Sequence, residues 1–391
     1  MSTTRREPPE WLLLTACSSP VPQAQTILNL ARDQDWNHVF AAAEKHGVTN
    51  LLAARLSGLA QTFADARTVF LSAALTQLKA RQRNLLFSAM AMTAELLRLL
   101  DRFSSAGVDA VPVKGPVLAL RAYGDPGMRH YADLDLLVRH SEVARATELL
   151  VACGYNPWVS LETIALKRIP GEYAFTHHHS SLRVELHTER TLRYYPRPVS
   201  FDELFLRRKP VLLDGRSVAA LSPEDDLLML CVHGAKDLWE RLIWVADIAG
   251  LLHREPAMDW SLLFAEARRL GALRMLNIGL LLAAHVLQIS LPAGGAEARC
   301  DSGAAKLARQ LASQMNGLSP AGEAPRLHIA QRALLRLRMR GGILSGVPYL
   351  LRLTFSPAED DWRSSTLPGR ILDVPRRLFR LAAKYGRKDQ M

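Results

Sequence analysis

The chain has 391 residues, 49% hydrophobic and 22% charged, which excludes a disordered polymer and a small disulfide-stapled scaffold and leaves room for two or three domains. Its formal net charge of +11 suits a phosphate-bearing or polyanionic partner, and equally a merely basic surface. No uninterrupted apolar run reaches the roughly 18 residues of a membrane-spanning helix; the nearest candidate, IGLLLAAHVLQISLP from Ile278, is too short and contains His285.

In chain order, residues 1–100 read as a helical N-terminal region. Leu14 to Cys17, LTAC, has the form of a lipoprotein cleavage box, but the apolar run before it, WLLLTA, is shorter than the core of a leader and follows Pro8, Pro9 and Glu10. This stretch is expected to form the first buried turns of a helix. DWNHVFAAAEKHGVTNLLAARL, from Asp35, has helical spacing with a break at Gly47. TVFLSAALTQLKARQRNLLFSAMAMTAELLRLLDRF is rich in Ala and Leu without Pro, so one or two long helices follow until Ser104–Gly107 breaks the pattern.

Residues 101–200 have a different texture and read as a mixed α/β core. VDAVPVKG is a short strand ending in Gly115, and Pro116 opens the helix PVLALRAYG, where a missing N–H costs nothing. ADLDLLV is a strand. SEVARATELLVACG is a helix with Ser141 as its N-cap and Gly154 as its stop. EYAFTHHH and LRVELHTE, separated by Ser180 and Ser181, read as a strand hairpin in which His177 and His179 share a face.

Residues 201–291 are a helical subdomain. SPEDDLLMLCVHGAKDLWERLIWVADIAGLLHR begins with Ser222 as cap, Pro223 at the first position and acidic residues in the first turn. Residues 292–391 open on PAGGAEARCDSGAA, a low-hydrophobicity loop, and continue as a basic, mostly helical region broken at GGILSGVP and FSPAEDDWRSSTLPG. From Arg326 onward there are fourteen Lys or Arg against five Asp or Glu. That excess alone does not make a nucleic-acid surface, because few aromatics interleave the arginines and no binding motif accompanies them. The four cysteines, Cys17, Cys153, Cys231 and Cys300, lie far apart with no CxxC, so neither a zinc site nor a disulfide framework is implied and a reducing cytoplasm is expected.

The chemistry concentrates in RHYADLDLLV. Residues i and i+2 of a strand share a face, so Asp133 and Asp135 project together while Leu134 and Leu136 face the core. Adjacent carboxylates repel, and a divalent cation between them removes that penalty; hard oxygen donors suit Mg²⁺. Glu185, in the strand LRVELH, is a third carboxylate able to join them, and three carboxylates suffice for two ions. Gly115 shapes a strand-to-helix turn that favours phosphate, with Lys114 and Arg129 as counter-charges. His187 shares the face of Glu185 and either supports the ligands from behind or touches phosphate. His233 and Lys236 share one face of the later helix, with Lys236 placed to reach a phosphate and His233 behind it. Trp239 and Trp244 read as core.

VKGPVLALRAYGDPGMRHYADLDLLV, followed by VELH, resembles the nucleotidyltransferase fold of the DNA polymerase β type, with its Gly turn, Asp-x-Asp strand and later acidic residue. The likeness is greatest to a bacterial group of uncharacterised nucleotidyltransferases, and DWNHVFAAAEKHGVTNLL, HGAKDLWERLIWVADIAGLL and LPGRILDVPRRLFRLAAKYG are similar to that group's flanking helices. The resemblance implies an α+β fold with a small mixed sheet flanked by helical regions. It implies that Asp133, Asp135 and Glu185 bind Mg²⁺, and that an NMP group moves from an NTP to an acceptor with release of pyrophosphate. One departure is Gly115-Pro116 where the wider superfamily has Gly-Ser or Gly-Gly; proline offers phosphate neither a hydroxyl nor an N–H. The alternative expectation is a catalytically silent binding protein on the same fold, holding an anionic partner through its basic C-terminal region.

Overall fold

The computed structural model describes residues 7–63, 68–165, 171–189, 194–316, 329–341 and 346–347. Helices α1 (Pro9–Ser18), α2 (Ala24–Ala31), α3 (Trp36–His46) and α4 (Thr49–Thr62) come first, followed by the 34-residue α5 (Ser72–Ser105). The sheet region runs β1 (Ala110–Val113), α6 (Gly115–Tyr123), β2 (Leu134–Val138), α7 (Val143–Ala152), β3 (Tyr155–Pro157), α8 (Leu161–Ala165), β4 (Glu172–His177) and β5 (Arg183–His187). Then come α9 (Phe201–Leu206), a hairpin of β6 (Lys209–Leu213) and β7 (Arg216–Ala220), and helices α10 (Pro223–Lys236), α11 (Leu242–Arg254), α12 (Trp260–Arg269), α13 (Leu273–Val286), α14 (Ser302–Asn316) and α15 (Ile329–Met339). The class is α+β, as expected.

Local chemistry explains most boundaries. Asp35 caps α3 by accepting from Asn37 N and His38 N, and Gly47, at φ 72°, ends it in the left-handed conformation that an L side chain resists. Ser222 Oγ accepts from Asp225 N at the start of α10. The turn Asp214-Gly215, with both residues at positive φ, closes the β6–β7 hairpin. That hairpin was readable as LLDGRSV, because an Asp-Gly pair between apolar strands is a strong turn signal.

The helical run from Ser222 to Arg254 divides into two helices, because Leu238 and Trp239 both take positive φ and break the ladder. Trp239 folds back onto Gly234, where a Cβ would stand 2.6 Å from the indole ring. Three sequence expectations are corrected. Ser141 lies inside a 3₁₀ turn, His140–Glu142, so the cap position of α7 falls at Glu142. PAGGAEARCDSGAA is not an open loop: residues Ala293–Cys300 form 3₁₀ helix and α14 starts at Ser302. β4 stops at His177, so His178 and His179 belong to the turn and share no strand face with it. The interruptions foreseen beyond Gly341 and the helix resemblance at residues 367–386 lie outside the described residues, apart from residues 346–347.

The five-stranded sheet has the order β1-β2-β5-β4-β3. β2 and β5 are parallel, and the other pairs are antiparallel. Leu134, Leu136, Val184, Leu186, Tyr173 and Phe175 form one dry face against α5 and α7. Val113 and Leu137 belong instead to the larger core built by α1–α4 and α10–α13. The sheet therefore has two unlike faces. Strand alternation puts Asp135, Glu185 and His187 on the second face, toward α10 and α11.

Buried ion pairs fasten this second face. Arg129 Nε meets both oxygens of Asp247 in α11, at 2.9 and 3.1 Å, and Tyr123 OH donates to Asp247 Oδ1 at 2.7 Å. Arg121 pairs with Asp226 of α10 and donates to the Leu221 carbonyl at 2.8 Å. Among the described residues, no helix is long and apolar enough to cross a membrane.

Candidate active site

Three adjacent strands set the site by register. Val113 of β1 lies opposite Asp135 of β2, and Asp135 lies beside Glu185 of β5. One ligand atom each from Asp135, Glu185 and His187 fall within 4.8 Å of one another. His187 Nε2 is 2.7 Å from Asp135 Oδ1 and 3.6 Å from Glu185 Oε2. Lys114 Nζ approaches the other side of Asp135, at 3.5 Å from Oδ2.

Asp133 immediately precedes β2 and lies outside that three-residue group. Its Oδ2 accepts from Arg183 Nη2 at 3.1 Å. Arg183 precedes Glu185 by two and so shares its face, a signal present in RVELH that the sequence reading did not use.

The electrostatics are unbalanced. Burial works against ionisation of Asp135, which is 8% exposed, but Lys114 and His187 outweigh it and hold the carboxyl well below its ordinary range. Burial and then the Asp135 charge push Glu185 up to about 7. Burial also pulls His187 down, yet Asp135 more than compensates and raises it. Burial and the neighbouring Asp135 raise Asp133. The carboxylates thus compete for too few positive charges, the condition that a divalent cation relieves. Two carboxylate oxygen donors fit a hard cation such as Mg²⁺. The imidazole of His187, hydrogen-bonded to Asp135, suits the role of orienting that ligand.

A pH dependence follows. Glu185 binds a proton in the folded state over a window, from the ordinary carboxylate range to about 7, where the unfolded chain has lost it. Folding stability should therefore fall as pH rises through that window. Glu185→Gln is expected to unfold later than wild type at pH 8, by on the order of 2 kcal/mol, with the gain shrinking toward pH 5. Urea midpoints at both pH values without metal check this; a constant offset would refute it. Asp135, Asp133, His187 and Glu172 are the charged groups facing Glu185.

The turn before α6 is strained and open. Lys114 has φ 55° and Gly115 φ 47°, and only the glycine adopts such a conformation without strain. A Cβ at Gly115 would meet no atom within 4 Å, so glycine is required there by conformation, and the space above it is free for a ligand.

A cavity of about 60 Å³ shares Lys114 and His187 with the carboxylate cluster and is bordered also by Glu172, Tyr194, His233 and Lys236. His233 is pushed well below its ordinary range by burial and by Lys114 and Lys236, so it is neutral. Burial opposes the ammonium of Lys236, but Tyr194, Asp237 and Glu172 together outweigh it and the amine is raised. Its Nζ lies 4.2 Å from the centroid of the Tyr194 ring. Lys114, His233 and Lys236 are thus brought together, while Arg129 lies buried on Asp247. Trp239 is fully buried, as expected, and Trp244 packs edge-on to His233. Asp247 stands out in LIWVADIAGLL as a lone carboxylate in an apolar helix, which signals a buried partner without naming it; Tyr194 had no signal.

Residues 32–288 match the family model described as uncharacterised nucleotidyltransferase, about two thirds of the chain. The chain belongs to that family. The matched segment of this nucleotidyltransferase-family chain runs from before α3 to just beyond α13 and includes the whole five-stranded sheet and the carboxylate cluster. Among solved structures, an antigenic nucleotidyltransferase-like protein from Paracoccidioides brasiliensis is 18% identical, over 41% of this chain and 74% of that one, with a TM-score of 0.31. No curated protein matches.

Proposed function

We propose that the protein is a Mg²⁺-dependent nucleotidyltransferase that moves an NMP group from an NTP to a hydroxyl-bearing acceptor. The observation that carries this reading is the in-register pair Asp135 and Glu185 on adjacent parallel strands, flanked by Lys114 on an open, strained strand-to-helix turn. Asp133, Asp135 and Glu185 would hold two ions, supported by His187. When bound, Mg²⁺ supplies charge neutralisation of the triphosphate and lowers the pKa of a bound hydroxyl.

The chain's own groups do the rest. The acceptor oxygen forms a bond to the α-phosphorus, the bond to the bridging α–β oxygen breaks, and pyrophosphate leaves with that electron pair. Glu185 would also take the acceptor proton; its carboxyl is pushed up to about 7 in the metal-free cluster, and a bound cation would lower it. Lys114 and Lys236 neutralise the triphosphate. A volume of about 60 Å³ holds only a few waters, so the phosphates must approach over the Gly115 turn. Arg129, with Nε committed to Asp247, acts on the site mainly through its charge.

Calorimetric titration of Mg²⁺ and then ATP tests the reading, followed by pyrophosphate release from labelled NTPs with candidate acceptors. Lys114→Met should weaken ATP by roughly 10–100-fold, the worth of one charge-assisted contact. If neither Mg²⁺ nor ATP binds the wild type, the proposal fails. Pro116, which has no N–H for phosphate, favours the silent-binder alternative. ATP binding with no pyrophosphate release from any NTP would select that alternative.

A further inference from the structure

Among the described residues, three arginines of the C-terminal region, Arg332, Arg336 and Arg340, have partners within the fold. α15 lies outside the segment matched by the family model and packs on α10, α13 and α14. Arg336 donates from Nε and Nη2 to the carbonyl of Lys236, at 3.2 and 3.1 Å. Arg340, only 3% exposed, donates from Nη2 to the carbonyl of Tyr194 at 3.1 Å. Arg332 pairs with Glu240 one turn earlier on α15.

These two carbonyls are not arbitrary. Lys236 is the last residue of α10, so its carbonyl lacks an intrahelical partner and sits at the negative end of the helix dipole, where a guanidinium is favoured. Tyr194 is far from it in sequence. Yet the side chains of the two meet, ammonium over ring at 4.2 Å, and both border the cavity that Lys114 and His187 also line. Arg336 of α15 and Arg340 just after it therefore grip, by the backbone, both halves of one cation–π pair.

We propose that Arg336 and Arg340 are positioning residues: they clamp the backbones of Lys236 and Tyr194, hold the Lys236 ammonium beside the cavity, and so make the C-terminal region a determinant of affinity for the triphosphate. The identity of the ligand rests on the nucleotidyltransferase reading; the clamp does not. Guanidinium groups committed to carbonyls are not themselves phosphate ligands, so part of the basic excess serves the site indirectly.

The test uses the full chain and an amine-acylating succinimidyl ester, with modification of Lys236 read by mass spectrometry. In wild type, Lys236 should react slowly. In R336A/R340A its labelling should rise several-fold, while R332A stays at the wild-type rate. ATP with Mg²⁺ should protect Lys236 in wild type. The double variant should raise the KM for NTP roughly tenfold with kcat little changed, the pattern of lost binding that is equal in ground and transition states. Unchanged labelling in the folded double variant overturns the clamp. An equal rise in R332A points to general loosening of α15 and overturns the assignment to Arg336 and Arg340. Labelling that rises without protection by ATP keeps the clamp and counts against the nucleotide reading instead. Should the double variant lose its cooperative melting transition, R336Q and R340Q carry the same comparison, and wild-type labelling in both overturns the proposal.

Discussion

Asp135→Asn is expected to lose Mg²⁺ binding and NMP transfer while melting close to wild type. The replacement keeps the shape of the side chain and removes the charge that Lys114, at 3.5 Å, and His187, at 2.7 Å, both face. Removing one preorganised electrostatic group from an active site costs roughly 10²–10³-fold in rate. Asp135 also serves as a metal ligand in the proposed mechanism, so the loss should reach at least the upper end of that range. Stability should change little, because two effects oppose. The variant gives up its contacts with Lys114 and His187. It also relieves Glu185, whose carboxyl is pushed up by burial and then by Asp135 and should fall back toward its ordinary value. Calorimetry with Mg²⁺, pyrophosphate release and a thermal melt on the same preparation decide the matter. Full activity in Asp135→Asn would sink the proposed site.

The second large effect is structural. Asp247→Ala should lower the unfolding free energy by about 3–5 kcal/mol, the cost of breaking a buried pair by removing one partner. That is a large part of the roughly 5–15 kcal/mol available to a folded domain. The reason is specific. Asp247 is fully buried and accepts from Arg129 Nε and from Tyr123 OH, so its removal leaves a buried guanidinium and a half-buried tyrosine hydroxyl without their acceptor. Arg129→Met/Asp247→Leu, which removes both charges, should recover most of the loss, since apolar replacement of a whole buried pair is often neutral. Arg129→Lys should be less stable than wild type although it keeps the charge, because an ammonium cannot reproduce the guanidinium's planar geometry. Urea unfolding of the single and double variants measures the coupling; a single-variant loss below about 1 kcal/mol would show that the pair is not holding the loop to α11. The same series separates two roles for Arg129. If activity is lost only in step with stability, Arg129 acts by fixing the chain ahead of β2.

What one-dimensional patterning carried was the local part. The alternation in ADLDLLV assigned Leu134 and Leu136 to the core and Asp135 to the opposite face, because strand period is a property of the backbone. Asp35, Gly47 and Ser222 marked helix ends for the same reason: each cap is a bond or dihedral within a few residues. The carboxylate cluster was readable to the extent that Asp135 and Glu185 stood in strands with apolar neighbours.

Long-range partners were another matter. LRVELH does not state that β5 lies parallel to β2 in the register that sets Glu185 beside Asp135. Nor does RHYADLD reveal that Arg129 is taken by Asp247, 118 residues away, or that Asp133 faces Arg183. The break at Leu238 and Trp239 was invisible because helix propensity is local, while the indole's place against Gly234 is set by packing. Composition allowed that the arginine-rich C-terminal end packs on the rest of the protein, but not that Arg336 and Arg340 end on the carbonyls of Lys236 and Tyr194. Residue type and spacing fix which side chains can ionise and which face they share. Which opposite charge or bare carbonyl each one meets is decided only when distant segments pack and exclude the water that would otherwise have satisfied them.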